Sequence, residues 1–226
     1  MSKESNSICY LCGNPIERNP KDNHMTLSMD HVPPKQFFPK KIRKTETLNF
    51  QRIPSHKKCN EDYKLDEEYF YHCMYPAVEK VNPNMAKIMY EDLLRRSQKK
   101  QTQIIARKLL QNFRFVTDGG IYLPSGIVQF SIDNYRIQRI ALKIARGLIY
   151  NETGKYMPSK NAKDFRLCLR EDEVPELYNL SFKASPIKGV CPKVFSYKYF
   201  EFDNHHLLSM FYWESFMSCT LFDSPD

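Results

Sequence analysis

No stretch of this chain approaches the roughly 18 uninterrupted apolar residues that a membrane-spanning helix needs. The most apolar tail segment, HLLSMFYWESFMSCTLF, is broken by Glu214 and by small polar residues. The opening MSKESNSICY holds no apolar core of the kind that marks a secretory signal. A cytoplasmic setting without membrane association is therefore expected, and thiols stay reduced there. Seven cysteines, an odd number, also count against a disulfide framework. No internal repeat and no low-complexity tract is visible. Acidic residues are in deficit: 26 Asp and Glu stand against 34 Lys and Arg, a net charge of +8. Such a balance favours an acidic partner, nucleic acid being the commonest, although surplus surface lysine gives the same count. Aromatic residues are plentiful at 13%, which places the chain among folded globular proteins.

The sequence predicts an α+β protein with two unlike parts. Residues 1–75 have little periodic apolar pattern and are rich in Cys, His, Pro, Asn and Lys, a composition suited to a small module held by a metal. Within it TLSMDHV reads as a strand. LNFQRIP reads as a second, with Leu48, Phe50 and Ile53 as its apolar residues, and a proline-punctuated, lysine-rich loop lies between them. CNEDYKLDEEYFYHCMY then reads as a helix ending before Pro76. Residues 76–226 form the second part. A long helical stretch beginning at Asn84 has an almost wholly polar middle, Arg95 to Gln103, and so is either two helices or one that crosses solvent. Short strands joined by Gly-Gly and Pro-Ser-Gly turns follow. NYRIQRIALKIARGLIYNETG is an amphipathic helix, with Ile137, Ile140, Ile144 and Leu148 at helical spacing and Gly154 as its stop. DFRLCLRE, KVFSYKYFEF and SMFYWESFMSCTLF alternate like strands.

Two pairs of soft ligands bracket the strand-loop-strand region. Cys9 and Cys12 form Cys-x2-Cys, and His56 and Cys59 form His-x2-Cys. A two-residue gap lets one tight turn offer both side chains to a single ion, and four such ligands make a closed tetrahedral zinc site. Cys73, Cys168, Cys191 and Cys219 are scattered and read as buried free thiols. Zinc at the two pairs ties the start of the module to the start of its helix, which traps the strand carrying Asp30-His31 between them. Asn60 directly follows a zinc ligand. By this topology Asp30 and Asn60 converge on a second ion, with His31 nearby.

Cys-x2-Cys, then Asp-His-x-x-Pro on a strand, then an Asn, then a ligand pair ending Cys-Asn, resembles the HNH endonuclease family with its ββα-metal motif. The resemblance covers about residues 9–72. It implies a metal-dependent endonuclease hydrolysing phosphodiester bonds in DNA, with RNA as an open alternative. His31 matches the family's general base and Asp30 its catalytic-metal ligand. Asn49 in TLNF matches the Asn that braces the loop, and Asn60 the closing metal ligand. His56 stands where the family more usually has Cys. The residue types suit the reaction independently: histidine titrates in the range of a base, while Asp and Asn give a hard, open site for Mg²⁺ or Mn²⁺.

Lys35, Lys40, Lys41, Arg43 and Lys44 in the loop, and Lys57, Lys58 and Lys64 beside the second ligand pair, are candidate phosphate contacts. Arg136, Arg139, Lys143 and Arg146 step along one helix face and either track a nucleic-acid backbone or simply face solvent. Glu67 and Glu68 either extend the metal shell or form an ordinary charged helix face. His24, His72 and His205-His206 carry no assigned chemistry. No motif in residues 76–226 attaches to chemistry; clamping DNA, homodimerisation so that two sites meet two strands, and sensing a signal through an activating protein partner are its open roles. A setting in prokaryotic defence follows only by analogy. The alternatives are a zinc-stabilised nucleic-acid-binding module without catalysis, or an interaction scaffold.

Overall fold

The computed structural model describes residues 7–17, 22–111, 113–114, 129–169, 173–178 and 185–225. Strand β1 (Leu27–Val32) pairs antiparallel with β2 (Gln51–His56), placing Asp30 opposite Ile53 and His31 opposite Arg52. The second strand begins at Gln51, not at Leu48 as the apolar pattern predicts. Its partner Val32 is followed by Pro33 and Pro34, which have no backbone N–H to extend the ladder. Leu48 and Phe50 therefore precede β2 and pack against the core from outside it. A short helix, α1 (Lys40–Thr45), lies in the loop between the strands.

Helix α2 (Lys57–Glu61) turns straight out of β2, and α3 (Lys64–Val81) follows. The predicted helix is thus split near its start and continues past its predicted end, because Pro76 lies inside α3. An internal proline costs about 3 kcal/mol. Met74 and Val78 are buried on either side of it, and their burial offsets much of that cost at about 1.5–3 kcal/mol per side chain. The chain breaks instead at Asn82, whose side chain accepts the Met85 N–H and caps α4 (Pro83–Arg96), with Pro83 in the first turn. The polar stretch after it separates α4 from α5 (Lys100–Gln111), so two helices are present.

β3 (Phe113–Arg114) and β4 (Gln129–Phe130) pair antiparallel; the Gly-Gly and Pro-Ser-Gly turns predicted between them lie outside the described residues. Helix α6 (Asn134–Thr153) matches its prediction: Asp133 caps it, Ile137, Ile140, Ile144 and Leu148 are buried, and Gly154 closes it at φ +70°. β5 (Ala162–Cys168), β6 (Lys188–Cys191), β7 (Phe195–Phe202), β8 (His205–Tyr212) and β9 (Phe216–Asp223) form an antiparallel sheet in the order β5-β9-β8-β7-β6.

The two predicted parts share one core. A single buried cluster holds Tyr10, Val32 and Phe70 together with Ile144, Tyr212 and Trp213, and α3 runs straight through residue 75. Gly147 makes the close approach of α6 possible: a Cβ there would stand 2.7 Å from Val32 Cγ2 and 3.2 Å from the Tyr10 ring. Arg146 secures the same seam, donating to the backbone carbonyls of Leu11 (2.6 Å) and Met157 (2.7 Å). The division after residue 75 therefore does not follow the packing.

Candidate metal centre and the adjoining cleft

The Cys9, Cys12, His56 and Cys59 ligand atoms all lie within 4.8 Å of one another. The turn that presents the first pair is closed by Gly13, whose N–H donates to the Cys9 carbonyl (2.8 Å) from φ +79°. The second pair spans the junction of β2 and α2. Cys12 and Cys59 sulfurs stand 3.3 and 3.9 Å from His56 Nδ1. With its proton on Nε2, His56 donates to the Pro15 carbonyl (3.3 Å) and turns the Nδ1 lone pair toward the sulfurs. The His56 backbone N–H donates to Cys9 Sγ (3.3 Å). Zinc–sulfur bonds of about 2.3 Å space tetrahedral sulfurs about 3.8 Å apart, so this set can hold one metal ion such as zinc. Burial and the neighbouring Cys9 and Cys12 push the Cys59 thiol up to about 12; a bound divalent cation reverses that effect by favouring thiolates.

Asn60 adjoins Cys59 on α2 and faces a different cluster. Lys143, from the middle of α6, brings its ammonium 2.9 Å from Asp30 Oδ2, 2.5 Å from Glu67 Oε1 and 3.2 Å from Asn60 Oδ1. Tyr10 donates its hydroxyl to Asp30 Oδ2 at 2.5 Å, and Gln36 donates to Glu67 Oε2 at 2.5 Å. Lys143 is 1% exposed, Asp30 5% and Glu67 7%. Burial works against the charged lysine, but Glu67 and Asp30 outweigh it and raise its pKa, so it is an ammonium at neutral pH. Burial pushes the Glu67 carboxyl up against the pull of Lys143, and pushes the Tyr10 phenol up with help from Asp30. Asp30 and Asn60 do converge, but on a lysine. The donors are hard oxygens of the type Mg²⁺ or Mn²⁺ takes, while the point they share is held by a cation of the chain itself.

His31 is half-buried beside this cluster, with the Phe50 ring edge-on at 5.5 Å. Burial, Lys35 and Arg52 lower its pKa, Asp30 opposing them, which leaves the imidazole neutral and able to accept a proton. Asp30, His31, Lys35, Asn60, Lys64, Glu67, Lys99 and Thr102 are among the residues that line one cleft of about 380 Å³. The loop after His31 is held on two sides. Arg96, buried and 2.6 Å from Asp92, donates to the Gln36 carbonyl and to Glu68 (3.0 Å). Trp213 donates to the Phe37 carbonyl (3.0 Å), and Phe37 stacks on Phe70 at 5.0 Å.

The remaining predicted residues divide. Lys35, Lys40, Lys41, Lys57, Lys58 and Lys64 are exposed. Lys143 is buried in the cluster and cannot face a nucleic-acid backbone. Arg136 and Arg139 are both paired with Asp66 and lie over the Tyr69 and Tyr63 rings, so they fasten α6 to α3 instead of forming a free basic stripe. Asn49 is exposed ahead of β2 and outside the cleft lining; its neighbour Phe50 makes the contact with His31. Glu67, Tyr10 and Gln36 are the cluster residues that sequence reasoning left without a role or only with an open one. Glu67 had a signal, the acidic pair Glu67-Glu68 on the helix that follows the second ligand pair, whereas Tyr10 and Gln36 had none.

No protein-family model matches the chain, and comparisons with curated proteins and with solved structures returned no match.

Proposed function

We propose that this chain is an HNH-type endonuclease that hydrolyses phosphodiester bonds in DNA. The observation that carries the reading is that Asp30, His31 and Asn60 line one cleft beside the four-ligand cluster. In this reading His31 takes a proton from water as the oxygen attacks phosphorus. The phosphorus–oxygen bond opposite then breaks, and the leaving oxygen is protonated from solvent, giving a phosphate monoester and an alcohol. The lowered pKa of His31 supports this role, because a base must be unprotonated before attack. Asp30 and Asn60 would hold the catalytic ion, Mg²⁺ or Mn²⁺. When bound, that ion would supply positive charge to the phosphate. Lys35, Lys64 and Lys99 at the rim attract the backbone and set its register without reading sequence. Cys9, Cys12, His56 and Cys59 would hold zinc, which would tie α2 to the hairpin and Asn60 near Asp30.

The test is cleavage of supercoiled plasmid by purified protein with Mg²⁺, Mn²⁺ or EDTA. Wild type is expected to nick or linearise the plasmid only with added divalent metal, and His31→Ala to lose about 10²-fold or more of that rate while still binding DNA. If neither protein cuts under any condition, yet both retain zinc and shift DNA, the chain is a zinc-stabilised binding module instead.

A further inference from the structure

We propose that Lys143 is the resident cation of the cleft and competes with a divalent metal ion for the oxygens of Asp30, Asn60 and Glu67. This inference rests on the nuclease reading, which supplies the divalent ion. Three oxygens from three separate elements, β1, α2 and α3, point at one Nζ atom, at 2.9, 3.2 and 2.5 Å. An ammonium has three protons, and here each has an acceptor. The two carboxylates carry two negative charges. Lysine neutralises one of them, while a divalent ion would neutralise both, so the ion has an electrostatic advantage once it reaches the point. It cannot do so while Nζ stays, because two cations about 3 Å apart repel strongly in a buried site.

Lys143 has somewhere to go. A second cleft of about 300 Å³ is lined by Tyr63, Tyr135, Leu142, Arg139 and Arg146 together with Lys143 itself. The Tyr63 ring lies 5.2 Å from Nζ and already carries the Arg139 guanidinium at 4.2 Å, so an ammonium that leaves the oxygens would share this ring with Arg139. A rotation of this one side chain exchanges the oxygen cluster for that ring and opens the cluster to an ion. The lysine thereby sets how much divalent metal the site requires.

The test is Mn²⁺ binding to zinc-loaded protein without nucleic acid, followed by electron paramagnetic resonance. Lys143→Met, of similar length and uncharged, is expected to bind Mn²⁺ roughly tenfold or more tightly than wild type, and Asp30→Asn in the same background to lose that gain. Equal or weaker binding by Lys143→Met overturns the proposal, and so does the absence of binding in both proteins. Should Lys143→Met not fold by circular dichroism, the wild type decides. Its slowly exchanging side-chain ammonium, assigned by nuclear magnetic resonance through its loss in Lys143→Arg, should move or vanish as Mg²⁺ is added. A signal that Mg²⁺ leaves unchanged overturns the competition. Because no nucleic acid is present, either result is read independently of plasmid cleavage: a chain that cuts DNA with an unmoved lysine keeps the nuclease reading and loses this one.

Discussion

Cys59 and Asn60 are neighbours on α2, yet they belong to two polar clusters built on opposite plans. The sulfur cluster is made of two pairs, Cys9 with Cys12 and His56 with Cys59, each close in sequence. The oxygen cluster gathers single residues from β1, α2, α3 and α6, and Lys143 reaches Asn60 across 83 positions of sequence and Glu67 across 76. Soft thiolates accumulate negative charge that only a metal ion balances well. Hard oxygens can be balanced by a metal or by an ammonium, and here the chain supplies the ammonium. On the zinc reading one cluster would depend on an ion from outside for its stability, whereas the other holds its own cation and would have to give it up to accept one. The difference matters for the cleft, since α2 carries Cys59 of one cluster and Asn60 of the other.

The sharpest way to break this comparison is at the sulfurs. Cys59→Ser, or removal of metal from wild type by a chelator, should unfold the region around β1, β2 and α2. Structural zinc sites contribute about 10–16 kcal/mol of apparent binding free energy, all of it unavailable to the metal-free chain. Elemental analysis showing one zinc per chain, together with loss of the thermal transition on chelation, would bear this out; an unchanged Tm would mean that the shared core holds the module without metal. At the oxygens the effect should be smaller. Lys143→Met leaves Asp30 and Glu67 buried side by side without their counter-charge, a change worth about 3–5 kcal/mol. Denaturant unfolding of the variant should show that loss without divalent metal. Double substitution with Glu67→Gln should cost less than the sum of the single changes, because the second removes the charge left unpaired by the first. The smallest effects belong to the rim. Lys35→Ala, Lys64→Ala and Lys99→Ala should each change stability by no more than about 0.5 kcal/mol. Each should also lower the slope of log affinity for DNA against log salt by about 1, provided that residue contacts a phosphate.

Much of the local structure was legible. Helix α6 could be read from its isoleucine spacing and Gly154, because an amphipathic period and a left-handed stop are written into adjacent residues. Strand β1 and the two ligand pairs were equally plain, since their geometry depends on spacing within a few positions. Pro76 misled because packing on both its sides outweighs the local cost of a helical proline. The start of β2 misled because the prolines that end its ladder sit on the partner strand. Lys143, Arg136 and Arg139 share one face of α6 and read as a basic stripe; which face of that helix meets solvent is settled only by what packs on it.

Local spacing thus determined by itself the sulfur cluster, the placement of Asp30-His31 at the end of a strand, and the amphipathic helix that covers them. Tertiary structure alone decided that this helix lays a lysine between Asp30, Asn60 and Glu67, that Arg96 and Trp213 hold the loop after His31, and that both halves of the chain share one core. The reason is the range of the forces involved. Turn geometry and helical period act between near neighbours, while a buried charge takes whichever partner the packing of distant elements brings within 3 Å.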